Sequence, residues 1–442
     1  MSLEPPVPPQ PVESGLARAV ATAAAHLRAV GPGALTPDSR LLFITRTVRL
    51  FAYGFLSVVL VLYLVQVGLS GVQIGALLTL TLLGDTVISL WLTTSADRLG
   101  RRRILIVGAA LMLFAGILFA LTQNFVVLLM AATIGVLSPS GNEVGPFLSV
   151  EQAALSQSVP GERRTHVFAW YNLVGSFATA LGALAGGALA QGLQTAGVTP
   201  LARYRIIVLG YATLGVLLGI LFTRLSPAVE VPFRDVGAAG PALTLGLHRS
   251  RKVVLGLAGL FMVDAFGGGF VVQSLVAYWF STRFGVTPAV LGGIFFGANL
   301  LAGLSALSAA WVAGRIGLVN TMVLTHLPSN ILLMLVPVMP TLPLAIGVLL
   351  LRFSISQMDV PTRQSLTMAV VRPDERSAAA GVTGVARTIG ASLSPLVAGP
   401  LLSSTPAMLG LVFVIAGALK IGYDLALYFN FRAVRPQEEG GA

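Results

Sequence analysis

The chain contains no cysteine, which excludes disulfides, thiolate nucleophiles and cysteine metal sites together. Its four histidines, His26, His166, His248 and His326, have no metal-ligand spacing, so neither a metal nor a cofactor is expected. Charged residues are scarce, at 10% of the chain, too few to clothe the surface of a soluble domain. Nothing resembles a hydrolase or oxidoreductase site, and no enzyme is expected. Acids are rarer than bases, 17 against 28, yet no soluble basic domain or basic–aromatic platform accompanies the net charge of +11, which excludes a nucleic-acid partner.

What the chain has is apolar length. Apolar residues make up 55% of it, and the mean hydropathy is +0.86. Runs long enough to cross a hydrocarbon core of roughly 30 Å recur throughout. They predict twelve helices, over 41–66, 71–95, 104–122, 126–158, 163–192, 203–224, 251–281, 287–312, 318–338, 341–371, 375–402 and 405–431. The alternating pattern of a membrane barrel is missing.

The arginines fit a topology with both termini in the cytoplasm, as in an inner or plasma membrane. The inner loops then hold Arg98, Arg101 to Arg103, Arg163, Arg164, a cluster from Arg224 to Lys252, Arg315, Arg372 and Arg376, leaving Arg203, Arg205 and Arg283 outside. The first forty residues lack the basic start and apolar core of a signal peptide. Within them Leu16, Val20, Leu27 and Val30 fall on one helical face, either an interfacial helix ended by Gly31-Pro32 or a tail without structure.

An internal repeat organises the spans. Gly68 and Gly75 match Gly285 and Gly292, and Arg98 matches Arg315, all at a spacing of 217. Further on, Pro160-Gly-Glu-Arg matches Pro373-Asp-Glu-Arg, and Gly186 matches Gly399, at 213. The expected division is a tail (1–40), a six-helix bundle (41–224), a linker (225–250), a second bundle (251–432) and a tail (433–442). Two six-helix units in the same orientation make a parallel-repeat transporter plan.

With that plan, the turn after the second span resembles the signature of the major facilitator superfamily, Gly-x-x-x-Asp-Arg-x-Gly-Arg-Arg/Lys. Asp97, Arg98, Gly100, Arg101 and Arg102 fill it, and Thr93 stands where the first glycine belongs. The resemblance implies an all-α membrane fold of two six-helix bundles, helices one, four, seven and ten lining a central cavity, and gating by the signature. Asp97 would face the amino end of helix eleven near Arg376 to Ala380, where the macrodipole favours negative charge, while Arg101 to Arg103 meet lipid phosphates. The alternative is that the basic turn is a topology signal alone.

Charges within the spans mark the expected pathway, because each needs a partner or a wet cavity. Arg49 lies on helix one, Glu143 on helix four, Asp264 on helix seven, and Arg352 and Asp359 on helix ten, where Ser356 and Arg363 share their face. Tyr53 and Gln273, with Tyr171 and Tyr278, offer neutral polar contacts. Pro139, Pro146 and Pro361 predict local kinks beside Glu143 and Asp359. Two roles stand open for the acids. Glu143, Asp264 and Asp359 either carry the coupling proton, since an apolar setting favours the protonated carboxyl, or form fixed pairs, Arg49 with Glu143 and Asp264 with Arg352 or Arg387. Asp85 is expected at the interface between the halves, and Lys420 and Asp424 are expected to satisfy one another.

The function these features support is secondary transport of a small solute by a monomer in the bilayer, coupled to protons and directed to export of a metabolite or xenobiotic, as in an efflux antiporter. A uniporter or nutrient importer of the same fold, and a non-transporting receptor or scaffold, are the alternatives. The arginine in helix four and the Gly-Pro pair in helix five that are usual in drug–proton exporters are both missing, and mixed Arg and Asp/Glu chemistry suits a zwitterionic, anionic or mixed-polarity solute.

Overall fold

The computed structural model describes residues 35–143, 145–159, 161–230, 250–372, 375–402 and 405–432. The expected interfacial helix, most of the linker and the last tail lie outside the described residues. Helix one is Pro37–Ser57 continued at 44° by Leu60–Gln66. Helix two is Gly71–Leu99, helix three Arg101–Leu121, helix five Gly161–Thr195 and helix six Pro200–Phe222. In the second half, helix seven is Arg251–Gly269 with Gln273–Phe284, helix eight Pro288–Ile316 and helix nine Leu318–Leu335. Helix ten is Leu342–Ile355 with Asp359–Ala369, helix eleven Arg376–Leu402 and helix twelve Leu411–Phe431.

Ten of these helices are apolar and long enough to cross a membrane, and the bent pair of helix one makes an eleventh. The chain is an integral multi-pass membrane protein with two six-helix halves. Local chemistry sets many boundaries. Thr36 Oγ1 accepts the Ser39 N–H at 3.1 Å to start helix one, and Ser70 with Gln73 forms a capping box at helix two.

Helix four departs from the single expected span of 126–158. It runs Phe125–Ile134, is non-helical over 135–143 and 145–146, and resumes as Phe147–Ser158. A simple proline kink was expected. Instead Gly141 and Gly145 take φ of +73° and +81°, a left-handed backbone open to glycine, and Pro139 and Pro146 remove two donors. In a membrane the freed groups need protein partners. Tyr211 Oη donates to the Val136 carbonyl at 2.6 Å, Ser138 Oγ to that of Asn142 at 2.7 Å, and the Ser274 N–H to that of Pro139 at 3.1 Å. Asp85 accepts the Gly145 N–H at 2.6 Å, so it serves the break in helix four rather than the interface between the halves. Helices one, seven and ten have shorter interruptions, which leaves all four central helices discontinuous.

An even number of spans brings both termini to one end of the bundle, here called the near end. The halves meet closely at the far end. A Cβ added to Gly75 of helix two would lie 2.4 Å from the Pro395 carbonyl oxygen and 2.8 Å from Gly399 Cα of helix eleven. Across the opposite seam, one added to Gly187 of helix five would lie 2.4 Å from the Pro288 oxygen and 2.8 Å from Gly292 Cα of helix eight. Only glycine permits such backbone contact. Toward the near end helix eleven stands free at its glycines, since Gly381 and Gly384 would present a Cβ to nothing within 4 Å.

Two acids tie down the near-end connections. The Glu230 carboxylate accepts the N–H groups of Arg101 and Arg102, at 2.7 and 3.2 Å, at the start of helix three. Glu375 accepts the Ser250 N–H at 3.0 Å where helix seven begins.

Candidate functional site

At mid-depth in the first half, Arg49 and Glu151 are both fully buried and form a two-pronged pair. Nη1 donates to Oε1 and Nη2 to Oε2, each at 2.7 Å. Such planar fork geometry is why arginine serves buried pairs. Arg49 also reaches Glu143, with Nη2 3.1 Å from Oε1 and Nε 3.3 Å from Oε2. One turn earlier, Arg46 bonds Glu143, the Tyr171 carbonyl at 2.7 Å and Asn172 Oδ1 at 3.2 Å. Glu151 completes its shell with Thr45 Oγ1 at 3.1 Å and the Tyr171 hydroxyl. Two guanidiniums thus balance two carboxylates. Arg46 and Glu151 were missed in the sequence, although Arg46 and Arg49 at i, i+3 share a face.

The second half repeats the layout with its polarity reversed. Helix seven carries the acid and helix ten the cation: Asp264 accepts from Lys420 Nζ at 2.6 Å and from Arg363 Nη1 at 3.0 Å. Arg363 Nη1 also lies 3.0 Å from Asp359. On the outer side, His326 Nδ1 is 2.7 Å from Asp424 Oδ1, and Asn330 Nδ2 donates to Asp424 Oδ2 at 3.0 Å. These contacts correct two expectations. The partner of Asp264 is Arg363 with Lys420, not Arg352 or Arg387. Lys420 does not satisfy Asp424, because one turn of helix twelve turns the lysine toward helix seven and the aspartate toward helix nine. His326 lacks metal-ligand spacing, yet its i, i+4 relation to Asn330 within an apolar span is a usable signal of a buried polar pair.

Arg352 is 8% exposed, and its Nε is buried without a hydrogen-bond partner. Arg387, half-buried on helix eleven, has an Nε in the same state. Neither makes an ion pair within 4 Å among the described residues. Tyr53 is fully buried within the first half. Gln273 crosses the seam, donating to Ser57 Oγ at 2.8 Å and accepting from Asn299 Nδ2 at 3.0 Å, so it closes the far end.

For the expected gate, the side chains of Asp97 and Arg98 lie outside the described residues. Gly100 has φ of +96° and joins helix two to helix three. Its arginines meet protein where lipid phosphate was expected. Arg101 is buried with Nη1 3.4 Å from the Val229 carbonyl, and Arg102 Nη2 donates to that of Thr223 at 2.6 Å, because the chain leaving helix six passes directly over them. Arg103 is exposed.

The family model for the Major Facilitator Superfamily matches residues 42–395. An uncharacterized membrane protein of Saccharomyces cerevisiae is 33% identical over 425 residues, covering 90% of this chain and 94% of that protein. The quinolone resistance protein NorA of Staphylococcus aureus is 28% identical over 138 residues, 31% of this chain and 34% of that protein. Among solved structures, an inward-facing, occupied bacterial homolog of the human lysosomal transporter Spinster superposes with a TM-score of 0.69 at 15% identity, covering 90% of this chain and 98% of its own. The nucleoside transporter NupG gives 0.68 at 14%, covering 90% and 100%, and a D-xylose–proton symporter 0.67 at 14%, covering 90% and 98%. The chain belongs to the major facilitator superfamily.

Proposed function

We propose that this protein is a monomeric secondary transporter whose halves rock about a midplane site, moving a small solute with a negatively charged group. The observation that carries this reading is the charge arrangement between the halves. The first half pairs its guanidiniums with carboxylates at hydrogen-bond distance, whereas the second leaves two, Arg352 and Arg387, with no carboxylate within 4 Å among the described residues. A buried charge in a membrane protein needs a partner or a wet cavity. A solute anion arriving between the halves supplies that partner.

A screen of carboxylates, phosphates, amines and neutral solutes by thermal shift tests the assignment. Anions should stabilise the purified protein, by about 2.7 kcal/mol at a hundred times Kd, and Arg352→Gln with Arg387→Gln should abolish the shift. Stabilisation by amines or neutral solutes alone would refute it.

The near end is taken as cytoplasmic because Arg102, Arg103, Arg224, Arg315 and Arg372 gather there. The conformation then opens inward. Export across an inner or plasma membrane is the direction assigned, supported by the local similarity to a quinolone resistance protein, and protons are the coupling ion. One observation favours a second reading, a uniporter. Glu143, Asp264 and Asp359 each have a cation within 3.1 Å, so none is a free acid. Proteoliposomes containing a pH-sensitive dye separate the two, since solute flux without proton flux leaves only uniport. Asp97→Asn should slow flux severalfold if the signature gates the near end; unchanged activity would favour a receptor or scaffold.

A further inference from the structure

Resting on the transporter reading, we infer that the coupling proton binds at His326 of helix nine, between Asp424 and Asp264, and not on any of the three carboxylates along the pathway.

Hydrogen-bond chemistry at the ring is the first reason. A neutral imidazole has one N–H, an imidazolium two, and an ionised carboxylate only accepts. His326 has a carboxylate beside each nitrogen: Asp424 Oδ1 is 2.7 Å from Nδ1, and Asp264 Oδ1 is 3.8 Å from Nε2. Asn330 Nδ2 lies 3.2 Å from Nδ1 while donating to the other Asp424 oxygen. Only the protonated ring turns an N–H toward both acids.

Charge balance is the second. The contact network from Asp359 through Arg363, Asp264, Lys420 and His326 to Asp424 contains three carboxylates and two permanent cations. The imidazolium proton makes it three against three. Every other acid of the network already has a closer cation or shares the ring. Helix twelve presents Lys420, Tyr423 and Asp424 to His326, the Tyr423 ring standing 6.0 Å away edge-on. Asp359 and Arg363 of helix ten approach through Asp264 of helix seven. Arg352 and Arg387 make no ion pair within 4 Å with the network among the described residues, although both face Asp264 and Asp359 at longer range.

Placement is the third. The network joins helices seven and ten, which flank the pathway, to helices nine and twelve behind them. Loss of the ring proton leaves one N–H for two acids, so either Asp424 keeps Asn330 alone or Asp264 faces a lone pair, and the tie between helices seven, nine and twelve differs in the two protonation states.

The native chain has no cysteine, so a spin-label pair can be placed without background. Thr94→Cys on helix two and Gly381→Cys on helix eleven are both exposed at the near end. In lipid nanodiscs, pulsed dipolar spectroscopy across about pH 5 to 8 should record an exchange between two distance populations. His326→Gln should abolish that exchange. An exchange that persists in His326→Gln, or that never occurs in the parent pair, would overturn the inference. Should that variant fail to fold, Asp424→Asn keeps the imidazole and removes the negative charge beside Nδ1, and it must move the midpoint of the exchange to lower pH; an unmoved midpoint also overturns it. Populations that answer to a stabilising anion but not to pH would remove the proton site while leaving the transporter reading intact. Flux missing for every stabilising solute would remove that reading and this inference with it.

Discussion

Arg49→Gln should be the most damaging single substitution in the first half, lowering stability by about 3–5 kcal/mol. The side chain is fully buried and donates four hydrogen bonds to two carboxylates. With the guanidinium gone, Glu151 retains only the hydroxyls of Thr45 and Tyr171, and Arg46 alone must serve Glu143. The residual charge, more than the lost bonds, sets the size of the effect. Arg49→Lys should be less harmful, since it keeps the charge and loses the fork. Joint replacement by Arg49→Met and Glu151→Leu should recover much of the loss, because removing both partners of a buried pair is often nearly neutral. Thermal unfolding in detergent measures all three. A melting temperature for Arg49→Gln within about 2 °C of the parent, less than the shift for 1 kcal/mol in most domains, would refute the assigned energetics.

The second large effect concerns the far-end seal. Gly75→Ala places a methyl group 2.4 Å from the Pro395 carbonyl oxygen, and Gly187→Ala places one equally close to that of Pro288. Both obstacles are backbone, with no flexible side chain to give way, so each substitution must push the halves apart. Overpacking of this kind costs about 1–3 kcal/mol, and the two sites lie on opposite seams, so their effects should add. The double variant should favour the conformation open at the far end by more than about tenfold, which corresponds to 1.4 kcal/mol. Ser57→Cys reports the change. Ser57 is fully buried beneath Gln273, so a membrane-impermeant thiol reagent should leave the cysteine unmodified in the parent and alkylate it in the double variant. Equal labelling rates in both would refute the seal.

Apolar length, the repeat spacings and the turn signature placed nearly the whole membrane fold in the sequence. Each of those signals is local, or periodic along one chain. The pairing of Arg49 with Glu143 was readable for a similar reason, because helices one and four each carry few charges. Partner choice in the second half was not readable. Asp264 had four basic residues well inside the spans of the same half to choose from, Arg352, Arg363, Arg387 and Lys420, and the choice depends on the rotation of helix twelve about its axis, a tertiary property. Helix four shows a different limit. Hydropathy sums are indifferent to hydrogen bonding, so 126–158 read as one span although Gly135, Pro139, Gly141, Gly145 and Pro146 crowd its middle. Five breakers in twelve residues carried the signal that hydropathy missed. Glu151 escaped notice through its position past that break, where it read as the polar end of a long helix.

The carboxylate of Glu230 on helix three and that of Glu375 on Ser250 anchor the two ends of the connection between the halves. Glu230 is fastened to helix three and Ser250 to the entry of helix eleven through Glu375, so only the twenty residue steps between them are available as tether. Fully extended, that length reaches roughly 65–70 Å, several times the diameter of a helix at about 10–12 Å. The tether would therefore set no stop on the proposed rocking motion. On the proposed rocking mechanism, glycine meeting glycine at the far end sets the limit instead, and shortening the linker by a few residues should leave transport unchanged.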